Sequence, residues 1–477
     1  MASPVAVFRS YPTPSLCVVW CRLAEAMRVS LNWVVALAVP LLLGACGNEA
    51  PTEPISPASV SVLVPSTTLA FGATVQASVS AIDKRGRALT GQTVNWSSAA
   101  PLVATVSASG LIAGVGVGTT TISAAISGVS GSVTIVVTAQ ASSVSAGGLH
   151  TMIVKTDGTL WATGYHGNGQ LGLGGQPSQG SPAQVMTGVQ AVSAGGTHTM
   201  ILKADGTLWA TGDNIEGQLG VGSFVDRTTP ALVMTGVQSV AAGSYHTMIL
   251  KTDGTLWATG YNGYGAFGDG SHTPRSAPIQ VMTFVQAVAV GDIHTVVLKS
   301  DGTLWATGGN VDGQLGIGTV ASTWRAVQVM TSVRAVAAGG SHTMILKADG
   351  TLWATGLNAN GQLGDGTIVS RSSPVLVMSG VKSVAAGFAH TMIVKTDGTL
   401  WAAGRNSEGQ LGDGSYSDRS TPVQVATGVQ SVSAGGAHTL ILKLDGTLWA
   451  TGRSVEGQLG DGFYASRSSP AQVLANR

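Results

Sequence analysis

The chain has 477 residues, a length that accommodates two or three domains. Charged residues make up 10%, well below the roughly 25% of ordinary soluble domains, and 66 glycines mark a turn-rich β protein. A formal net charge of +1, with no strongly basic segment, excludes the electrostatic footprint of a nucleic-acid or acidic-membrane binder.

At the amino terminus Arg28 precedes an apolar run, Leu31-Asn-Trp-Val-Val-Ala-Leu-Ala-Val-Pro-Leu-Leu-Leu43, followed by Gly44-Ala45-Cys46. A basic start, a short apolar core and small residues before a cleavage point form the pattern of a secretory signal, too short for a typical membrane span. The ending Leu43-Gly44-Ala45-Cys46 resembles the lipobox of bacterial lipoproteins. That resemblance implies removal of residues 1–45 and lipid attachment at Cys46, with Met27 as a second candidate start. The protein is then expected in the cell envelope, held at a membrane by its lipid and facing the periplasm or the cell surface. Loss of Arg9, Arg22, Glu25 and Arg28 leaves 21 basic against 22 acidic residues. Cys17 and Cys21 leave with the signal, so no cysteine remains for a disulfide, a metal thiolate or a nucleophile. Residues 46–58, with Pro51, Pro54 and Pro57, read as a short extended tether.

Residues 59–140 change to short β-branched runs punctuated by glycine. Val75-Gln-Ala-Ser-Val-Ser-Ala-Ile82 alternates with period two, Ser132-Val-Thr-Ile-Val-Val-Thr138 does so in part, and Asp83-Lys-Arg-Gly86 reads as a turn. Several such strands in so short a span predict a sandwich. The stretch from Val94-Asn-Trp96 to Thr121-Ile122 resembles the bacterial Ig-like domain of group 2, which implies a spacer, with Trp96 as a core residue.

From residue 143 one sentence of sequence recurs seven times, best seen as His246-Thr-Met-Ile-Leu-Lys-Thr-Asp-Gly-Thr-Leu-Trp-Ala-Thr-Gly260. Its histidines stand at 150, 198, 246, 294, 342, 390 and 438, a period of 48 residues, and its tryptophans keep the same register. Each copy reads as four short strands: a small apolar one, the histidine strand, an Asp-Gly hairpin turn, the tryptophan strand, a glycine-rich loop and a closing strand such as Pro278-Ile-Gln-Val-Met282. One copy cannot bury enough apolar surface alone, so the copies must stack sheet on sheet. The expected fold is all-β: a seven-bladed β-propeller over 143–477, preceded by the small Ig-like sandwich. Pro470-Ala-Gln-Val473 at the end is expected to pair with the first copy and latch the ring.

Gly-x-x-His-Thr, Asp-Gly-Thr-Leu-Trp and Gly-Gln-Leu-Gly-Asp-Gly resemble the repeat of the regulator of chromosome condensation family, and all seven copies carry the resemblance. It implies a seven-bladed propeller. Trp-Ala-Thr-Gly departs from the adjacent Trp-Gly of many members, and Gly265-Ala-Phe-Gly268 lacks the usual glutamine and leucine. The eukaryotic founder promotes nucleotide exchange on a small GTPase, but the repeat motif carries no exchange residue across to this chain. A secreted bacterial relative inhibits a β-lactamase, which implies protein binding.

A residue repeated once per blade circles the axis and does not converge in pairs, so the histidines are read as structural, bonding backbone near the strand starts. Gly167-Asn-Gly-Gln-Leu-Gly172 and Gly263-Tyr-Gly-Ala-Phe-Gly268 spell the dinucleotide pattern but have no helix to follow, and are read as propeller loops. The ionisable residues that break the repeat, His166, His272, Asp292, Glu216, Glu408 and Glu456, show no spacing for a carboxylate pair or metal set. No enzyme activity, cofactor or metal is expected.

Variation collects in the two residues before each histidine and in the long loop after the tryptophan strand. Strand parity puts both on one rim. That rim is expected to bind a protein or glycan through Tyr245, Asp292, Ile293 and Phe388 from the short loops and Tyr165, Tyr264, Trp324, Tyr416 and Tyr464 from the long ones. Leu149, Phe224, Tyr261 and Phe463 stand with them, beside Arg227, Arg325, Arg419 and Arg467. A monomer is expected. The rivals are a lyase-like enzyme with its site at this mouth and a purely architectural surface protein.

Overall fold

The computed structural model describes residues 56–473 and is all-β. The signal, the cleavage point and Cys46 lie outside the described residues.

Residues 59–138 form a small sandwich whose strands include Ser59–Leu63, Thr74–Gln76, Ser78–Ile82 and the long hairpin Gly118–Ile126 with Val129–Thr138. The alternating run 75–82 is not one strand. It breaks at the buried Ala77, whose N–H goes to the Gly110 carbonyl, and its halves join different sheets. Alternation alone cannot show such a switch, because the inward face stays inward on both sides of the break. Trp96 packs against the core of Ile112, Ile122 and Ile135. A Cβ on Gly110, at φ +82°, would stand 2.8 Å from its ring, so the glycine makes room for the indole. Asp83 closes the predicted turn by accepting from the Arg85 and Arg87 backbone N–H groups.

Seven antiparallel sheets of four strands follow among the described residues, from Ala141–Ala146 to Arg467–Gln472. In the first blade the strands are Ala141–Ala146, His150–Lys155, Leu160–Gly164 and Gln179–Met186, in that spatial order. The propeller thus starts at Ala141 and not at 143. The second copy, expected one 48-residue period later at 191, likewise begins two residues earlier, with the strand Val189–Ala194.

The histidine strands are buried along nearly their whole length, because a neighbouring blade covers each face. Met200 and Leu202 of the second blade pack with Ile249 of the third, while Ile201 packs with Met152 and Val154 of the first. This explains the continuous Met-Ile-Leu runs: a strand covered on both sides needs apolar residues at every position. Leu440 and Leu442 of the last blade meet Ile153 of the first in the same way.

The predicted latch is absent. Arg467–Gln472 pairs with its own blade, with Trp449 opposite Gln472 and Gly452 opposite Arg467. All four strands of every blade come from one continuous segment, and the ring closes by face packing and by the bonds described next.

Candidate functional site: the loop-bearing rim and the axial mouth

Three rings of hydrogen bonds hold the blades in register. In the innermost, each loop before a histidine donates an N–H to the next blade: Gly148 to Gly195 O, Gly196 to Gly243 O, Ser244 to Gly291 O, Asp292 to Gly340 O, Gly340 to Gly387 O, Phe388 to Gly435 O, and Gly436 back to Gly147 O at 3.0 Å. In the second, every histidine Nε2 meets a threonine Oγ1 of the next blade, from His150 to Thr199 at 2.8 Å round to His438 with Thr151 at 3.0 Å. In the third, at six of the seven interfaces, a threonine of the tryptophan strand donates to the preceding blade's glycine loop, as Thr211 does to Gly169 O and Thr163 to Gly457 O across the seam; Ala403 takes that place in the sixth blade.

The second ring fixes the histidine chemistry. Six of those threonines donate their own hydrogen to a backbone carbonyl, as Thr199 does to Gln170 O and Thr151 to Gln458 O. Each such hydroxyl must then accept from Nε2–H, which leaves Nδ1 as the bare acceptor. Burial holds the histidines neutral, lowering them to about 3 at His150, His246, His294 and His390 and to about 4 at His198, His342 and His438. They are structural, as expected, but their partner is a hydroxyl in the adjacent blade and not the backbone of their own.

The Asp-Gly turns on the opposite rim are equally self-contained. Thr255 donates to Asp253 and accepts from Trp257 Nε1, and Lys251 stands 5.6 Å from the indole centroid. Among the described residues no group of three or more His, Cys, Asp or Glu side chains could hold a metal.

The short and long variable loops do share one rim: Tyr165 N donates to Leu149 O and Tyr261 N to Tyr245 O. Links one to two and three to four leave an antiparallel sheet at the same end. There Tyr245, Tyr261 and Tyr264 form an edge-to-face ladder with centroids 6.4 and 6.2 Å apart. Trp324 of the fourth blade packs over Gly265 beside it and lies 5.1 Å from His272. Blades three and four thus carry one exposed aromatic cluster.

Asp292 and Phe388 meet at the axis, flanking Gly340. Ile293 is half-buried over Gly309, and Tyr165 is half-buried with its hydroxyl against Gly167. Tyr464 covers Gly180 across the seam and Tyr416 stands exposed on the sixth blade. The nine predicted residues share a rim but not a patch.

Several other expectations change. Arg419 and Arg467 are held by Asp413 and Asp461 within their own loops, the first at 2.8 Å, and so brace the loop. Arg371, which the sequence reading passed over, does the same with Asp365 at 2.8 Å; the Gly-Asp-Gly to Arg spacing was the available signal. His166 occupies the place of Asn214 in the next copy: its Nδ1 accepts Leu171 N–H and its Nε2–H donates to Gly174 O, just as Asn214 accepts from Leu219 and donates to Ser223 O. Glu216, Glu408 and Glu456 are half-buried.

The fold and this rim define a class, a closed propeller of RCC1 type carried behind an Ig-like domain. The chain belongs to the RCC1-like domain family: that family's model matches residues 115–378, more than half of the sequence. Its amino-terminal end overlaps the sandwich, which the bacterial Ig-like domain (group 2) matches over 57–137. The regulator of chromosome condensation (RCC1) repeat matches 397–442, with further matches at 381–410 and 429–458. Among solved structures the chain is similar to human WBSCR16, at 23% identity and a TM-score of 0.59 over 65% of this chain and 88% of that one. It is also similar to yeast RCC1 (Prp20) bound to Kap60, at 22% identity and 0.60 over 66% and 83%. Prp20p from Saccharomyces cerevisiae, described with its binding properties to Gsp1p and histones, matches at 22% and 0.59 over 68% and 87%. At these identities the likeness establishes the fold. No curated protein matches by sequence.

Proposed function

We propose that this protein is a cell-envelope lipoprotein whose propeller binds another protein through its loop-bearing rim, without catalysis, while the Ig-like domain serves as a spacer. One observation carries the reading: blade cores and the opposite rim repeat nearly unchanged, with Phe284 the one exposed aromatic there among the described residues, whereas the other exposed aromatic residues of the propeller stand on the variable rim and those of blades three and four pack together. Tyrosine and tryptophan on a rigid scaffold are the residues that concentrate binding energy. The kind of partner is supported by the yeast propeller of the same fold, which is bound by Kap60 and described with Gsp1p and histones. Exchange on a GTPase is disfavoured by an envelope location, and nucleic acid by the near-zero net charge.

The test is affinity capture from envelope extract with the full chain and with a Tyr245→Ala/Trp324→Ala/Phe388→Ala variant. A partner retained by the wild type and lost by the triple variant supports the reading. Equal recovery by both overturns the face assignment.

A further inference from the structure

Seven equivalent positions surround the mouth of the axial channel: Gly148, Gly196, Ser244, Asp292, Gly340, Phe388 and Gly436. Four are glycine, so only three of the seven bring a side chain to an opening of about 500 Å³, part of it continuous with solvent, whose other side-chain lining is Val290 and the alanines of the innermost strands. Ser244 Oγ donates to Asp292 Oδ1. Phe388, about half exposed, stands with Asp292 on either side of Gly340.

The backbone at the mouth can be accounted for in full. The second residue of each loop pair donates its N–H to the next blade, and the first donates to its own histidine carbonyl, as Gly147 does to His150 O and Gly435 to His438 O. All fourteen N–H groups of the seven pairs are spent in this way. The Ser244 hydrogen goes to the carboxylate. The carbonyls of Gly148, Gly196 and Gly436 accept no hydrogen bond from the described residues. The loops of the mouth therefore offer acceptors, one carboxylate and one aromatic face.

From this we infer that the axial mouth is a binding site for an organic cation bearing N–H donors, a guanidinium or primary ammonium group, paired with Asp292 and lying against the ring of Phe388. No Lys or Arg forms a salt bridge with Asp292 among the described residues, so its charge lacks a counterion within the fold. Burial raises its carboxyl above the ordinary range although Ser244 opposes the shift. A ligand cation supplies the missing charge, and the aromatic face adds a cation–π contact.

The inference deepens the loop-rim reading, because a partner's Arg or Lys side chain could deliver the cation. Its test needs no partner, so the two fail separately. Methylguanidinium, N-acetyl-arginine amide and an Ala-Ala-Arg-Ala-Ala peptide are titrated into the full chain, with butyrate as the anionic control, by saturation-transfer NMR and calorimetry. The expected result is binding of all three guanidinium probes and none of butyrate. Asp292→Asn should weaken binding about tenfold or more, and Phe388→Ala about threefold. Leu444→Ala, exposed beside an Asp-Gly turn on the opposite rim, should leave it unchanged. Melting curves confirm that each variant is folded, and Phe388→Ala keeps the test open should Asp292→Asn fail to fold. Tighter binding of the peptide than of the free amide points to a protein side chain, and equal binding to a free small cation. No binding by the wild type, equal binding by Asp292→Asn, or butyrate binding as well as methylguanidinium overturns the inference.

Discussion

His438 in the last blade and Thr151 in the first are 287 residues apart in sequence and 3.0 Å apart in space, imidazole Nε2 to hydroxyl. The same pair recurs at each of the six internal interfaces, 49 residues apart. The seam of the ring is therefore an ordinary interface. Thr151→Val and Thr343→Val each leave a buried N–H without its acceptor, which costs about 1–3 kcal/mol. Thermal unfolding should show equal destabilisation by the two. A much larger loss for Thr151→Val would mark the seam as a special closure.

Acid is the second lever, and its sign follows from the seven lowered histidines. Their neutral form is held down to about 3 or 4 in the fold, against about 6.5 for an ordinary solvated histidine. Stability is complete above 6.5 and is lost as pH falls toward 4, because the unfolded chain takes up protons that the folded chain refuses. At pH 5 each histidine costs about 2 kcal/mol, on the order of 10 kcal/mol for the ring. Urea unfolding at pH 7.5, 6.0 and 5.0 should show a steep fall in the midpoint. A flat profile would contradict the buried neutral ring.

Phe284 occupies a turn position where other copies carry Gly188, Gly236, Gly380 or Gly428, and it adopts their left-handed backbone, φ 60°. Its side chain is 77% exposed and contributes little packing. Phe284→Gly should therefore stabilise the fold by about 1 kcal/mol. A lowered melting temperature would show that the aromatic ring contributes to the fold despite its exposure.

His166 should behave as the asparagine it replaces. His166→Asn is expected to be near neutral in stability, and His166→Ala to cost about 1–3 kcal/mol by orphaning Leu171 N–H. If His166→Asn lost as much stability as His166→Ala, the asparagine-like role would be wrong.

These cases show what the residue order could and could not reveal. Period, strand count and turns were legible because each repeats seven times with unbroken spacing. The latch was not, because a 48-residue period looks the same whichever copy claims the Pro-x-x-Val strand. Only the pairing of Trp449 with Gln472 decides it. The His–Thr bonds join strands in different blades, and no pattern within one copy encodes them. The rim could be reached by counting links. The quartet of Tyr245, Tyr261, Tyr264 and Trp324, and the meeting of Asp292 with Ser244, depend on which blades are neighbours and which loops turn inward.

Hydrogen–deuterium exchange on the captured complex tests the central claim most directly, comparing bound with free protein. Binding through the variable rim predicts protection at 244–245, 261–272, 319–324 and around Phe388, with the Asp-Gly turns at 252–255 and 300–303 unchanged. Protection confined to those turns, or spread evenly over both rims, would contradict it.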